Sequence, residues 1–556
     1  MSDSWLKIKK KIGQPIPLAL LLNVFFVLLS IFIFHPHFET NDDAIMAMIA
    51  EGAYGASSPF LVNIHYFIGI LLQGLYQINA VVRWYSVLLY ILSFTSFSII
   101  TYLILKHATG KVGKCLSLLF LLCFFYEGYV LLQYTKVAAF LTIAGFLLLL
   151  EGLRENRKRT VLLGMLTALV GSLVRFPGFL IALAFASLLA LWELWIQRLD
   201  SDIIKKMLQY LSCFLLVLLV SIGLKEVNTA IYSANGAWGE YLSFHHLREQ
   251  VLDYNRLNWD ANQVAYENAG ISENDIYSYN TWQFAAPDVF NASLMNELID
   301  IAGSPKINVD FLKGLADMFF QVIYRLSGYV IGFCALAAFW FIYMQKKKLP
   351  LMLVGLMAMA AVHAYYFYIG RWTFRTVTIV WFAVFVILMY AFESREEYLK
   401  PILLLLVLCV INTCGLFLED SFVYHEQERM YAQDIRDFYA EVSQDKEHLY
   451  LIDTFSDKSS YEYSVFTPCD EGCYSNVVSF GSWLVNSPIY NEVLQSYGVT
   501  NPYLASFENQ NVYIVDREHI NNKLLFLSEH YDILAEETLV SEKNGFQIYK
   551  LTQKKD

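Results

Sequence analysis

The sequence predicts a mostly α-helical, polytopic membrane bundle of about 11 spans, N-terminus inside and C-terminus outside, with an α/β domain at its C-terminal end. Three observations carry this. Of 556 residues, 56% are apolar and only 16% charged, where a soluble chain carries about 25% charged residues; the mean hydropathy is +0.42. Apolar runs long enough to cross a bilayer recur up to Leu418. The net charge of −11 is unevenly placed: residues 419–556 hold 24 Asp and Glu against 10 Lys and Arg, a net of −14, so the remainder is slightly basic. That distribution excludes a nucleic-acid binder.

Each element follows from charge and periodicity. Lys7, Lys9, Lys10 and Lys11 precede the first apolar run, Pro17–Phe34, so the positive-inside rule puts the N-terminus in the cytoplasm. Without a small-residue cleavage site, that run reads as a retained span rather than a signal peptide. Phe60–Ile78 carries Asn63, His65, Gln73 and Gln77, and a crossing there would set Lys106, Lys111 and Lys114 outside. It is assigned to the interface, inside a first outer loop of residues 35–80, and Val81–Leu105 becomes the second span. The further crossings are Cys115–Tyr134, Val137–Leu153, Val161–Val174, Phe179–Ile196, Met207–Leu224, Met318–Met344, Leu351–Ile369, Thr376–Phe392 and Ile402–Leu418. They keep the clusters at Arg154, Arg157, Arg198, Lys205, Lys346, Arg395 and Lys400 inside. Residues 225–313 form a large, polar, aromatic-rich outer loop. The membrane domain is thus 1–418, and 419–556 a soluble outer domain in which HLYLID, NVYIVD and FQIYKL read as strands and Tyr490–Tyr497 as helix. Six cysteines accompany apolar runs. Cys469 and Cys473, in CDEGC, are placed for a disulfide if the tail is extracytoplasmic.

The chemistry concentrates in Glu39–Gly55, ETNDDAIMAMIAEGAYG, which sets Glu39, Asp42 and Asp43 where a helix leaves the membrane. Thr40 as N-cap with Asp43 three residues on approximates a capping box. That accounts for Asp43, less well for Asp42, and not for Glu39. An adjacent carboxylate pair suits two tasks: accepting the proton of a hydroxyl nucleophile, or holding a divalent cation such as Mg or Mn. The residues permit the cation and do not require it.

A first span, an outer loop with the pair Asp42-Asp43, a short helix, an interfacial helix and a second span together resemble the GT-C superfamily of integral-membrane glycosyltransferases. The resemblance implies transfer of a sugar from a polyprenyl-phosphate carrier on the outer side of the membrane, with Asp42 as the base and Asp43 as its partner. The chain lacks the WWDYG motif of oligosaccharyltransferase catalytic subunits. It also lacks MIR-type repeats, so any likeness to protein mannosyltransferases stops at the membrane body.

A departing lipid phosphate needs cations at the boundary. Gly370-Arg-Trp-Thr-Phe-Arg sets Arg371 and Arg375 four apart, on one face of a helix start. Arg175 lies in a Phe-Pro-Gly turn, and Arg248 and Arg256 lie in the large loop near Asp253. Against these stands snorkelling to the headgroups. Glu39, His65, Lys136 and Arg248 are supporting candidates, with helix packing as the plain alternative for His65 and interface anchoring for Lys136. His245, His246 and His363 lack partners at metal-ligand spacing.

The expected function is an inverting membrane glycosyltransferase, multi-pass in a bacterial cell membrane, with its active site on the extracytoplasmic face. Its partners would be a polyprenyl-phosphate-linked sugar donor, a glycan or lipid-linked acceptor of the envelope, and membrane lipids. Two other classes stand beside it. A flippase or transporter of lipid-linked saccharides predicts Gly/Pro-broken helices paired between halves, and none is apparent. A non-catalytic envelope scaffold predicts that Asp42→Asn is silent.

Overall fold

The computed structural model describes residues 14–108, 110–254, 257–303, 309–324, 328–343, 348–392, 395–456, 465–543 and 545–554. The lysines of the N-terminal segment, Arg256, Lys346 and Lys347 lie outside them. Helices dominate. The first is α1 (Pro15–Ile33), followed by the short α2 (Asn41–Glu51) and α3 (Tyr66–Ile78). Then come α4 (Trp84–His107), α5 (Gly110–Phe125), α6 (Tyr134–Arg154), α7 (Lys158–Val174), α8 (Phe176–Ile196) and α9 (Ile203–Ala234). At 13 residues, α3 reaches about 20 Å, too short to cross a bilayer. Its assignment to the interface fits that length.

Among the described residues, eight helices are long and apolar enough to cross a membrane. The first, second, third, fourth, sixth, seventh, ninth and eleventh expected crossings fall on them. The fifth and tenth fall on shorter helices, α7 and α17 (Phe374–Ala391). The eighth, Met318–Met344, lies partly outside the described residues; its described parts fall on α14 (Val309–Tyr324) and α15 (Gly328–Tyr343). α9 also runs ten residues past the expected Leu224, because no Gly or Pro follows there to stop it. Its Leu208, Leu211 and Leu219 are 62%, 56% and 62% exposed. So continuous an apolar stripe calls for lipid as its cover.

The large loop is largely helical. It folds into α10 (Gly236–Leu252), α11 (Trp259–Asn268), α12 (Glu273–Asn280) and α13 (Ala292–Ala302), ahead of α14. These share a hydrophobic core with the tail, including Tyr279, Phe290, Phe480 and Phe526. After α16 (Leu349–Tyr368) and α17, the 46-residue α18 (Leu399–Gln444) runs without a break through the expected 418/419 boundary. The tail carries α19 (Pro488–Ser496), α20 (Pro502–Glu508) and α21 (Ile520–Tyr531) on a five-stranded sheet.

Two very short strands, β1 (His37–Phe38) and β2 (Leu131–Leu132), pair in parallel and bring the entry to α2 beside the entry to α6. The tail sheet has the order β4-β3-β5-β7-β6, from β3 (Leu449–Ile452), β4 (Val477–Ser479), β5 (Val512–Asp516), β6 (Ala535–Lys543) and β7 (Phe546–Gln553). β4, β3 and β5 run parallel, and β7 and β6 complete the sheet antiparallel. The three expected strands are β3, β5 and β7, and the expected helix is α19. Short β4 and the charged edge strand β6 carry too weak an alternation to read from sequence.

Candidate active site

α2 begins with Thr40 in extended conformation and ends at Gly52, whose φ of +85° is left-handed and whose missing Cβ lets Gly55 O approach. The capping box does not form. Thr40 Oγ1 donates to Asp43 Oδ2 at 3.3 Å instead of accepting from the helix backbone. Asp43 turns inward, where its Oδ1 accepts from Tyr85 Oη at 2.8 Å and from the Tyr134 backbone N–H at 3.0 Å. It is wholly buried. Burial, with added repulsion from Asp42 and Glu39, pushes its carboxyl up to about 8, although the Tyr85 and Tyr134 hydrogen bonds pull the other way.

Asp42 presents the opposite picture. It is half-buried, and among the described residues no hydrogen bond or ion pair engages its carboxylate. Of the two acids, one is a buried strut and its neighbour is the open one. Glu39 is explained by Lys136, whose Nζ lies 2.7 Å from Glu39 Oε2 and 2.6 Å from Glu127 Oε2, and also donates to Leu131 O at 2.9 Å. The Lys136 side chain is fully buried. It is therefore the counter-ion of two carboxylates.

The arginines gather at the same end of the bundle. Arg175 precedes α8, Arg375 opens α17, and both lie within electrostatic reach of Tyr134, as do Asp42 and Asp43. Arg175 packs over the Tyr134 ring at 5.4 Å and donates to Asn63 Oδ1 at 3.0 Å. Among the described residues neither Arg175 nor Arg375 has a carboxylate in ion-pair range. Arg371 differs. It lies in the turn before α17, off the helix face that the four-residue spacing suggests, and is clamped by Glu249 and by Asp253 (Nη2 to Oδ2, 3.3 Å). Burial raises the Glu249 carboxyl, but His246 and the Arg371 charge outweigh it and hold Glu249 well below the usual carboxylate range. Arg248 is buried, bonded to Asp253 Oδ1 at 3.2 Å and stacked on Trp282.

His65 caps α3. Its Nδ1 accepts from Phe67 N at 3.1 Å while Nε2–H donates to Leu224 O at 2.8 Å, and burial lowers its pKa. Both nitrogens are thus occupied, Nδ1 by the cap of α3 and Nε2 by the joint to α9. His363 accepts from Trp381 Nε1 at 3.2 Å, and His245 sits against Tyr241.

Sequence reasoning missed the pair Glu51–Arg83, with side chains 1% exposed and 2.9 Å apart. Tyr76 Oη donates to Glu51 Oε1 at 2.9 Å and the Cys469 backbone N–H to Oε2 at 3.1 Å. With Gly472 N donating to Gly52 O and Tyr474 N to Ala53 O, this lashes the tail to the far end of the helix that carries Asp42. Cys469 and Cys473 are joined as a disulfide in that contact loop. A lone Glu in an apolar helix was the available signal.

For a metal, Asp43 offers little, since Oδ1 already accepts two hydrogen bonds. Among the described residues the groups with cation-ligand geometry lie elsewhere: Asp275, Glu529 and His530, and Asp453, Asp516 and His519. In the second group Lys523 Nζ stands 3.1 Å from Asp453 and 2.5 Å from Asp516, so an ammonium already fills the place of an ion.

No protein-family model matches the chain, and no curated protein matches it. Among solved structures, it aligns with the crystal structure of ArnT from Cupriavidus metallidurans bound to undecaprenyl phosphate. The identity is 11%, the alignment covers 96% of this chain and 97% of that one, and the TM-score is 0.41.

Proposed function

We propose that the protein is an inverting membrane glycosyltransferase of the GT-C kind, moving a sugar from a polyprenyl-phosphate carrier to a hydroxyl of an extracytoplasmic glycan or lipid-linked acceptor. The observation that supports this best is Asp42: an unengaged carboxylate at a boundary end of the bundle, sharing Tyr134 as a neighbour with two arginines that have no carboxylate partner. In this reading Asp42 takes the acceptor hydroxyl's proton as its oxygen attacks the anomeric carbon. The bond to the lipid phosphate breaks, and the phosphate leaves with the bonding electrons. Arg175 and Arg375 hold that phosphate, while Arg371 and Arg248 order the rim through Glu249 and Asp253. Asp43 fixes α2 against α4 and α6 so that Asp42 keeps its direction. A single displacement inverts the anomeric carbon and needs no covalent intermediate.

The tail and the large loop, packed together and tied to α2, would position the acceptor. The test is glycan analysis of cells carrying Asp42→Asn, with membrane levels of the protein followed in parallel. Loss of the glycan at normal protein level supports the transferase, and unchanged glycan removes it.

A further inference from the structure

A short stretch of the tail, residues 469–474, closes on the C-terminal end of α2. Cys469 N donates to Glu51 Oε2 at 3.1 Å, Gly472 N to Gly52 O at 2.8 Å and Tyr474 N to Ala53 O at 2.8 Å. Both carbonyls lie just past the last turn of α2, where the helix itself supplies no further N–H. Three donors so close in sequence meet one helix end only if the loop folds back on itself.

The disulfide imposes that fold. Four peptide steps of free chain span up to about 14 Å, whereas the Cα atoms of Cys469 and Cys473 stand 6.7 Å apart. Between the two cysteines, Asp470 and Glu471 are exposed and Gly472 takes a left-handed φ of +69°. Within the ring, Cys473 N donates to Asp470 O at 3.1 Å. On the trailing side, Lys446 Nζ and Ser475 N donate to Gly472 O at 3.0 Å and 3.1 Å, which anchors that side just past α18. The leading side, Cys469, is joined to this anchor through the disulfide. Both cysteines are half-buried, within reach of a small dithiol. The other six cysteines are free thiols, so a dithiol has one bond to open.

We propose that the Cys469–Cys473 disulfide is a redox-operated clasp on α2: closed, it holds the loop on the helix end, and a dithiol opens it and frees that end. The step is a thiol–disulfide exchange. One thiolate of the dithiol attacks a cysteine sulfur, the Cys469–Cys473 bond breaks, and the second thiolate closes the reagent's own disulfide. Two electrons pass from the dithiol to the protein, and its two protons end on the two cysteine thiols. Because α2 has only 11 residues, slack at Gly52 spreads into a large part of the helix that carries Asp42. Its first turn stays pinned, since Asp43 keeps its bonds from Tyr85 and Tyr134.

The test is hydrogen–deuterium exchange of the full chain in detergent, before and after dithiothreitol, with reduction verified by the mass of two added alkyl groups. Residues 49–53 and 472–474 should exchange about tenfold faster or more after reduction, the scale of the chain entropy that a small covalent ring removes. Strand β5 should keep its rate. Cys469→Ser combined with Cys473→Ser should exchange as the reduced parent does and ignore dithiothreitol; if that variant does not fold, the reduced parent decides alone. Unchanged exchange at residues 49–53 in verified reduced protein overturns the clasp. Loosening spread evenly over the tail sheet does the same, and so does a response to dithiothreitol that survives in the folded double variant. The readout assumes no activity, so its failure leaves the transferase reading standing.

Discussion

The backbone N–H of Tyr134 donates to Asp43 Oδ1 at 3.0 Å, across 91 residues of chain. That bond joins the first turn of α2 to the first turn of α6, and Tyr85 Oη on the same oxygen adds α4. Three helix starts therefore meet on one buried carboxylate, and the next residue back, Asp42, is left facing out.

Asp42→Asn should lower transfer by about 10²–10⁴-fold, the usual worth of a positioned general base. Binding of the donor should persist, since the arginines are untouched. Transfer measured in membranes from a lipid-phosphate sugar, with donor binding measured separately, checks both.

Asp43→Asn should change the dependence of stability on pH rather than abolish folding, because the amide oxygen still accepts from Tyr85 and Tyr134. The folded carboxyl titrates at about 8, above its unfolded value of 3.8. Between those values the folded state binds the extra proton. Its contribution is fully present below the unfolded value, falls as pH rises by up to about 1.4 kcal/mol per pH unit, and is lost above pH 8. Melting temperatures of the parent in detergent should decline more steeply from pH 5 to 8 than those of the Asn variant.

Arg175→Ala and Arg375→Ala should each weaken donor binding by about tenfold, the loss of a charge-assisted contact to phosphate. Arg371→Ala should instead act first on stability, by leaving Glu249 and Asp253 without their shared cation. Donor titrations beside thermal melts separate the two patterns.

Lys136→Met should destabilise the protein by about 3–5 kcal/mol, because it leaves the buried Glu127 and the partly buried Glu39 without their counter-ion. Glu127→Gln combined with Lys136→Met should recover part of that loss. Denaturation of the purified variants in detergent measures it.

Much of this was legible in the sequence. The spans at α1, α4, α6, α8 and α16 follow from sums of hydropathy over twenty residues, and the interfacial place of α3 from the polar residues of its segment, Asn63 and His65 ahead of it and Gln73 within it. Strands β3, β5 and β7 show through their alternation. The Asp42-Asp43 pair stands out because charge is rare so close to an apolar run. Lys136 was legible as a charge and not as a partner: nothing near QYTK points to Glu39, 97 residues earlier. Likewise, the spacing of Arg371 and Arg375 suggested a shared face, but Gly370 breaks the backbone and puts Arg371 in a turn.

The sequence by itself determined a helical membrane body, a sheet-bearing tail and an acidic pair at the first exit from the bilayer, since these depend on local composition and short periods. Only the tertiary structure decided which aspartate is buried, which arginines are already spent on carboxylates, and that the large loop packs on the tail. Those outcomes rest on pairings between residues far apart in the chain, and on how much water each pairing excludes.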